Sequence, residues 1–421
     1  MRLLYFVLTP QGLGEVVIAL SLARQLEPAG AKSHFVVLPG AEAMLRESGH
    51  PYTVVEPSMG DALYPVVDDL VAQFRPTGLI LADYFTYWVI AEGQFHLDPW
   101  FIYRYGLPVI PVDQWEWDRT DFTIDIAPGL RRPVNPKLLD MPARLHPVPL
   151  SHLERRGAGY PYRLLAETDR IGAARRREVR GSLGIDDGDR MVLLPISGWQ
   201  QPSGRPAHDS VVRLATHTPD LLAGYLRQLP AGTHFVLVGN VPDALRGLPA
   251  GRTHALPPCS ARRYSALLGA ADAVVALTPP AMTLLRSVFA DVAGLVLTNR
   301  YTVAADGDAD RLDAELGGLG PTVRGWLDRV GPVHPFRLWP MSFFEFMRPL
   351  LAANPFLDAV SHAEILDEAG VVATLTALLY DRPTQDRMAA ARDRYAAAVA
   401  ALPDTVDVFA AAARAAGLRM P

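Results

Sequence analysis

Along most of the chain, short uninterrupted apolar runs alternate with stretches whose apolar positions recur at helical spacing. Over the first 150 residues the runs LLYFVL, HFVVLP, YTVV, GLILAD, LPVIPV and FTIDIAP are separated by helical patterns at 13–26, 41–47 and 66–74 and by an aromatic segment. Runs of this kind leave no polar face for water. They predict the buried strands of a parallel sheet flanked by helices, one Rossmann-like domain over 1–150. Residues 142–162, PARLHPVPLSHLERRGAGYPY, are rich in proline, glycine and charge, the composition of an interdomain linker.

Past that stretch the alternation restarts. Strands MVLLPIS, HFVLVG, THALPP, AVVAL and GLVLT are interleaved with helices GAARRREVRGSLGI, DSVVRLATHTPDLLAGYLRQL, SARRYSALLGA and AMTLLRSVFA. The pattern predicts a second α/β domain over 163–385. Residues 301–360 read as an irregular insertion of short helices, and 363–418 as two alanine-rich helices, of which 386–421 is expected to pack back toward the N-terminal domain.

Composition narrows the function classes. A chain of 421 residues exceeds what one hydrophobic core supports, and 49% apolar content excludes general disorder. The net charge of −5 and pI near 6.1 give no global attraction for nucleic acid or anionic membranes. Arginine outnumbers lysine 38 to 2, as in GC-rich genomes, which points to an actinobacterial source. The single cysteine, Cys259, excludes an internal disulfide framework and a multi-cysteine zinc site, and reads as a small buried hydrophobe. Neither a signal-peptide h-region nor an apolar run of about 18 residues is present, so the expectation is a cytoplasmic protein without a membrane span. The DGDAD stretch fails as a calcium loop, because a loop starting at Asp306 places Gly317 where the bidentate glutamate is needed. It reads as a solvated loop.

The first strand ends in TPQGLGE, where Gly12 and Gly14 break the run and Glu15 enters the following helix. A glycine turn feeding a helix N-terminus suits a phosphate or a carboxylate. Two readings of Glu15 are open: it satisfies the helix end, or it faces a cleft and takes a substrate proton.

Two tandem Rossmann-like domains, this glycine turn and terminal helices able to cross back resemble the GT-B glycosyltransferases. GLILADYF followed by YGLPVIPVDQWEW is similar to paired segments of that superfamily. REVRGSLGIDDGDRMVLLPISG, THFVLVGN and RRYSALLGAADAVVALTPPAMTLLRSVFADVAGLVLTN resemble its donor-binding domain in order and spacing. The resemblance spans roughly residues 1–300 and the tail. It implies an α/β fold of GT-B architecture, two Rossmann-like domains facing across a cleft, with the acceptor on the first and a nucleoside diphosphate sugar on the second. It departs at TPPAM, which lacks the usual glycine, and at TLLRSVF, where Arg286 and Ser287 stand in the region that often carries a ribose-binding glutamate.

On this resemblance the donor site comprises Gly12, Gly14, Ser197, Gly198, Leu256, Arg262, Thr278, Met282, Thr283 and Arg286. Strand ends and helix N-termini would meet the diphosphate, and Arg286 the charge of the leaving group. Each has a plain alternative: Ser197 and Gly198 an ordinary turn, Arg262 a solvated helix face. Glu15, then Asp83, then Asp113 are the candidates for general base; each could instead cap a helix or pair an arginine. Tyr84, Tyr87, Trp88, Trp115 and Trp117 would stack on a flat or cationic acceptor, or serve as core packing.

The implied activity is glycosyl transfer from a nucleoside diphosphate sugar, UDP or GDP, to a small-molecule hydroxyl or thiol in an antibiotic pathway, with no bound metal or other cofactor. A thiol acceptor, as in a lincosamide-pathway S-glycosyltransferase, would need less help from a base. A nucleotide-sugar 2-epimerase and a non-catalytic binding protein of the same fold are the alternatives. A homodimer is open to either.

Overall fold

The computed structural model describes residues 1–9, 13–120, 123–127, 130–165, 168–198, 201, 209–336 and 344–419. The chain divides into two compact units: unit 1 holds 1–122, 134–167 and 397–421, and unit 2 holds 123–133 and 168–396.

Unit 1 begins β1 (Arg2–Val7), α1 (Gly14–Leu26), β2 (Lys32–Val37), α2 (Glu42–Ser48), β3 (Tyr52–Val54), α3 (Leu63–Phe74), β4 (Gly78–Leu81), α4 (Tyr84–Gly93) and β5 (Val109–Pro111). The five strands form a parallel sheet in the order β3-β2-β1-β4-β5. Leu3 to Val7 of β1 are all buried, as a central strand covered on both faces requires.

The segment FTIDIAP is not a further parallel strand. It supplies β6 (Thr123–Ala127), which forms an antiparallel hairpin with β7 (Leu130–Pro133), and the hairpin belongs to unit 2. The expected linker is also corrected. Residues 142–162 contain β8 (Arg144–Val148) and most of β9 (Gly159–Arg163), a parallel pair whose residues are nearly all buried. A bridge between Val112 and Leu145 aligns β8 with the end of β5. The helix Thr405–Ala415 packs on β9 and α1, where Thr405 Oγ1 donates to Gln25 Oε1 at 2.7 Å.

Unit 2 continues α5 (Ala173–Gly181), β10 (Arg190–Ile196), α6 (Asp209–Arg227), β11 (Thr233–Gly239), α7 (Asp243–Arg246), β12 (Thr253–Leu256), α8 (Ala261–Ala270), β13 (Ala273–Ala276), α9 (Met282–Phe289) and β14 (Ala293–Thr298). Then come α10 (Asp308–Leu316), α11 (Pro321–Val330), α12 (Phe344–Leu351), β15 (Ser361–Glu364), α13 (Glu368–Tyr380) and α14 (Arg382–Ala400), whose last residues, 397–400, fall in unit 1. The parallel sheet runs β12-β11-β10-β13-β14-β15. Val192, Leu194, Phe235 and Leu237 enter the core on one side, and Met191, Leu193, Val236 and Val238 the core on the other. That alternation is the strand period of two with both faces covered.

Two expectations change here. The tail holds strand β15 and three helices rather than two helices. The DGDAD stretch is partly helical: Asp308 starts α10 and its Oδ2 accepts the amides of Ala304 and Ala305, each at 2.9 Å. Among the described residues, no single helix is long and apolar enough to cross a membrane.

Candidate active site

The five- and six-stranded sheets have the same topology: from its first strand the chain winds to one edge, then crosses back to continue on the other side. Where strand order reverses, the loops leaving the two central strands diverge and open a crevice at their carboxyl ends. In unit 1 those strands are β1 and β4; in unit 2 they are β10 and β13.

Glu15 follows β1 in the first turn of α1, and Gly14 opens that helix; Gly12 lies outside the described residues. The cap position of α1 is Leu13, which makes no side-chain hydrogen bond. Glu15 Oε2 is buried without a hydrogen-bond partner. Burial pushes the Glu15 pKa up, against smaller opposing effects of its own amide, the Thr9 hydroxyl and the Gln114 amide.

Asp83 follows β4 and caps α4, accepting the Phe85 amide at 3.1 Å. Its Oδ2 accepts Thr86 Oγ1 at 2.5 Å, Gln114 Nε2 at 2.6 Å and Trp115 Nε1 at 3.4 Å. Despite these donors its pKa is raised to about 7, first by burial and then by the charge of Glu15. Two carboxyls thus lie at the carboxyl end of this sheet, and the charge of Glu15 disfavours ionisation of Asp83.

Asp113, just past β5, has a different role. It is fully buried, its Oδ1 accepts the Trp115 amide at 3.1 Å, and its Oδ2 accepts the Trp117 amide at 3.2 Å and Tyr84 Oη at 3.3 Å. Arg144 Nε lies 3.8 Å and His146 Nε2 3.6 Å from Oδ2. Surrounded in this way, Asp113 organises the turn and offers no oxygen to an acceptor, which corrects its reading as a base.

Burial also sorts the aromatic candidates. Tyr84, Tyr87 and Trp117 are core residues, Tyr87 Oη donating to the Pro99 carbonyl at 2.7 Å and Trp117 packing on Phe85 at 4.6 Å between centroids. They correct the expectation of a stacking surface. Trp88 and Trp115 are half-buried and retain surface to offer.

In unit 2, Ser197 and Gly198 follow β10, and Gly198 is exposed. Beside them β11 ends at Gly239, whose φ of 127° and close approach to the Ile196 carbonyl exclude a side chain: a Cβ there would lie 2.5 Å from that oxygen. Leu256 ends β12. Ser260 then caps α8 by accepting the Arg263 amide at 3.2 Å, which puts Arg262 in the first turn with an exposed side chain. Thr278 lies just beyond β13, and its buried Oγ1 has no hydrogen-bond partner. The start of α9, at Met282 and Thr283, has no side-chain cap; Thr283 Oγ1 meets Tyr264 Oη at 2.5 Å. Arg286 is already engaged. Its Nε and Nη2 reach the two Asp169 oxygens at 2.7 and 2.6 Å, and Nη2 also donates to Ser265 Oγ at 2.7 Å.

Several residues that complete these sites have no mark in the sequence: Gln114, Glu116, His146 and His152 in unit 1, Tyr264 and Asp169 in unit 2. Among the described residues, no group of three or more His, Cys, Asp and Glu side chains is placed to hold a metal ion.

Two Rossmann-like units whose strand orders reverse at the same place match the GT-B fold, and solved structures of that fold align with nearly the whole chain. Alr3699/HepE of Anabaena, in complex with UDP and glucose, aligns with a TM-score of 0.54 and 13% identity over 98% of each chain. The spinosyn rhamnosyltransferase SpnG, complexed with thymidine diphosphate, aligns at 0.52 and 17% identity over 98% of this chain and 99% of its own. The glycosyltransferase VinC with dTDP aligns at 0.51 and 16% identity over 99% and 100%. No curated protein matches the chain by sequence. The chain belongs to DUF6365, a family of unknown function, whose model matches residues 22–417.

Proposed function

We propose that the protein transfers a glycosyl group from a nucleoside diphosphate sugar to a small-molecule hydroxyl or thiol. The observation that carries this reading is the carboxyl pair at the unit 1 crevice end: Glu15, with an unpartnered buried oxygen, beside Asp83, which titrates near 7. Burial raises the Glu15 carboxyl above its ordinary value, and a raised carboxyl is a stronger base than a free one. Glu15 takes the acceptor O–H or S–H proton as the acceptor atom bonds to the anomeric carbon. The bond from that carbon to the diphosphate breaks, and its electron pair leaves on the phosphate oxygen.

Unit 2 holds the donor. Its diphosphate meets the uncapped N-terminus of α9 at Met282 and Thr283, the Thr278 hydroxyl and the turn at Ser197 and Gly198. Leu256 borders the base, Arg262 adds positive charge, and Arg286, braced by Asp169, supports α9. Gly14 opens α1 one residue before Glu15. Trp88 and Trp115 contact the acceptor. HepE has been solved with UDP, SpnG with thymidine diphosphate and VinC with dTDP, so UDP and dTDP are the first donors to pair with acceptors, GDP and ADP beside them. SpnG has also been solved with spinosyn aglycone, and a natural-product acceptor in an actinobacterial pathway fits that likeness.

Calorimetric titration with UDP, GDP, dTDP and ADP, followed by turnover of the corresponding donor sugars, tests the reading. Selective binding of one diphosphate together with donor turnover is expected. A folded protein that binds none of the four would overturn it.

A further inference from the structure

We propose that the buried pair Glu116–His152 is a positioning clamp, which holds the turn after β5 in the backbone conformation that aims Gln114 and Trp115 at Asp83. The proposal rests on the reading of Glu15 and Asp83 as the working carboxyl pair.

Glu116 has φ 48° and ψ 58°, the left-handed region that side chains other than glycine rarely adopt, and it is fully buried. A glycine would take this conformation without strain. What glutamate adds is a carboxylate, and both of its oxygens are used. Oε1 accepts the His152 backbone amide at 2.8 Å, and Oε2 meets His152 Nδ1 at 2.7 Å and the guanidinium of Arg119. His146 Nδ1 stands 3.8 Å from Oε1. Burial alone would raise the Glu116 pKa, but the hydrogen bonds from His152 and the charge of His146 outweigh it and lower the value, so the clamp is ionised.

His152 lies just past β8, so the clamp ties the end of the turn to the neighbouring strand. The start of the turn is tied by Asp113, which accepts the Trp115 and Trp117 amides. The other charges around it are Arg144 and His146, both beside Asp113, and Asp118, 3.3 Å from Arg144. Between the two anchored acids, only Gln114 and Trp115 project to Asp83 Oδ2. Glu116 and His152 reach the carboxyl pair through these two side chains and are positioning residues.

The test is the titration midpoint of Asp83 in the ligand-free protein, read by carboxyl 13C NMR and assigned with Asp83→Asn. His152→Ala should raise the midpoint by about one pH unit, because the Asp83 anion loses donors. Gln114→Leu should raise it similarly, and the double variant no further than either single one. His152→Asn, whose amide can stand in for Nδ1–H, should restore the original midpoint. An unchanged midpoint in folded His152→Ala, or additive shifts in the double variant, overturns the proposal. Should His152→Ala not fold, Glu116→Gln preserves volume and carries the same expectation, an unchanged midpoint again overturning it. No substrate enters the measurement. Absence of transfer activity therefore leaves it standing, and an unchanged midpoint leaves the transfer reading standing.

Discussion

Gln114 Nε2 donates to Asp83 Oδ2 at 2.6 Å, so a side chain from the loop after β5 fixes the carboxyl at the end of β4. Even so, Asp83 titrates near 7, because burial and the charge of Glu15 outweigh that bond and its companions. The two acids differ in their surroundings. Asp83 has donors that hold it in place, whereas Glu15 Oε2 is buried without a hydrogen-bond partner.

Glu15→Gln should therefore preserve the fold and diphosphate affinity while lowering turnover by roughly 10²- to 10⁴-fold, the usual contribution of a positioned base. Asp83 should report the change as well, its titration midpoint falling once the neighbouring charge is gone. Steady-state kinetics and calorimetry on the same preparation check both points. Turnover equal to the parent protein would reduce Glu15 to a structural residue.

A pH dependence of stability follows from the direction of the Asp83 shift. The unfolded chain loses this proton near its ordinary value of 3.8, while the folded protein keeps it to about 7. Between those limits the native state binds more protons than the unfolded state, so stability is fully present below about pH 3.8 and is lost as pH rises through 7. The loss from this group alone is on the order of 4 kcal/mol. Asp83→Asn keeps a capping oxygen for α4 and removes the titration. Urea unfolding from pH 4 to 8 should show a flatter profile for the variant; parallel profiles would mean that Asp83 is not the group responsible.

What was legible in the sequence was whatever burial on two faces imprints on composition. The runs at β1 and β10 read directly as central strands, and Glu15 and Asp83 stood out because each follows such a run closely. His146 and His152 were hidden in a segment that reads as a linker. Prolines are usually excluded from strand interiors, yet Pro147 and Pro161 lie within β8 and β9, whose alignment with β5 needs only a single bridge. The left-handed backbone of Glu116 leaves no compositional trace. Arg286 looked like a free cation because its partner, Asp169, is 117 residues away in the chain.

That ion pair is accessible to mutation. Both side chains are largely buried, at 14% and 13% exposure, and the contact is bidentate. Asp169→Asn should destabilise unit 2 by about 3 kcal/mol, since it leaves a mostly buried guanidinium without its counter-charge. Arg286→Lys should recover only part of the loss of Arg286→Ala, because an ammonium cannot span both oxygens and Ser265 as the planar fork does. Denaturant midpoints of the three variants decide the matter; near-parental stability in Asp169→Asn would remove the pair as the brace of α9.

Thr278→Val separates a ligand site from a packing site, because the two roles predict opposite signs. Thr278 is 4% exposed and its Oγ1 has no hydrogen-bond partner. Leaving a hydroxyl in that state costs about 1–3 kcal/mol, so the isosteric valine should leave the ligand-free protein as stable as the parent or more so. If the hydroxyl awaits a phosphate oxygen, the same substitution should weaken nucleoside diphosphate binding by roughly 10- to 100-fold, the worth of one hydrogen bond to a charged group. Thermal melts with and without UDP or dTDP read both effects in one experiment. A variant that melts higher when free and gains less from the ligand places Thr278 on the donor. One that melts lower in both conditions makes the threonine part of the packing between β13 and α9.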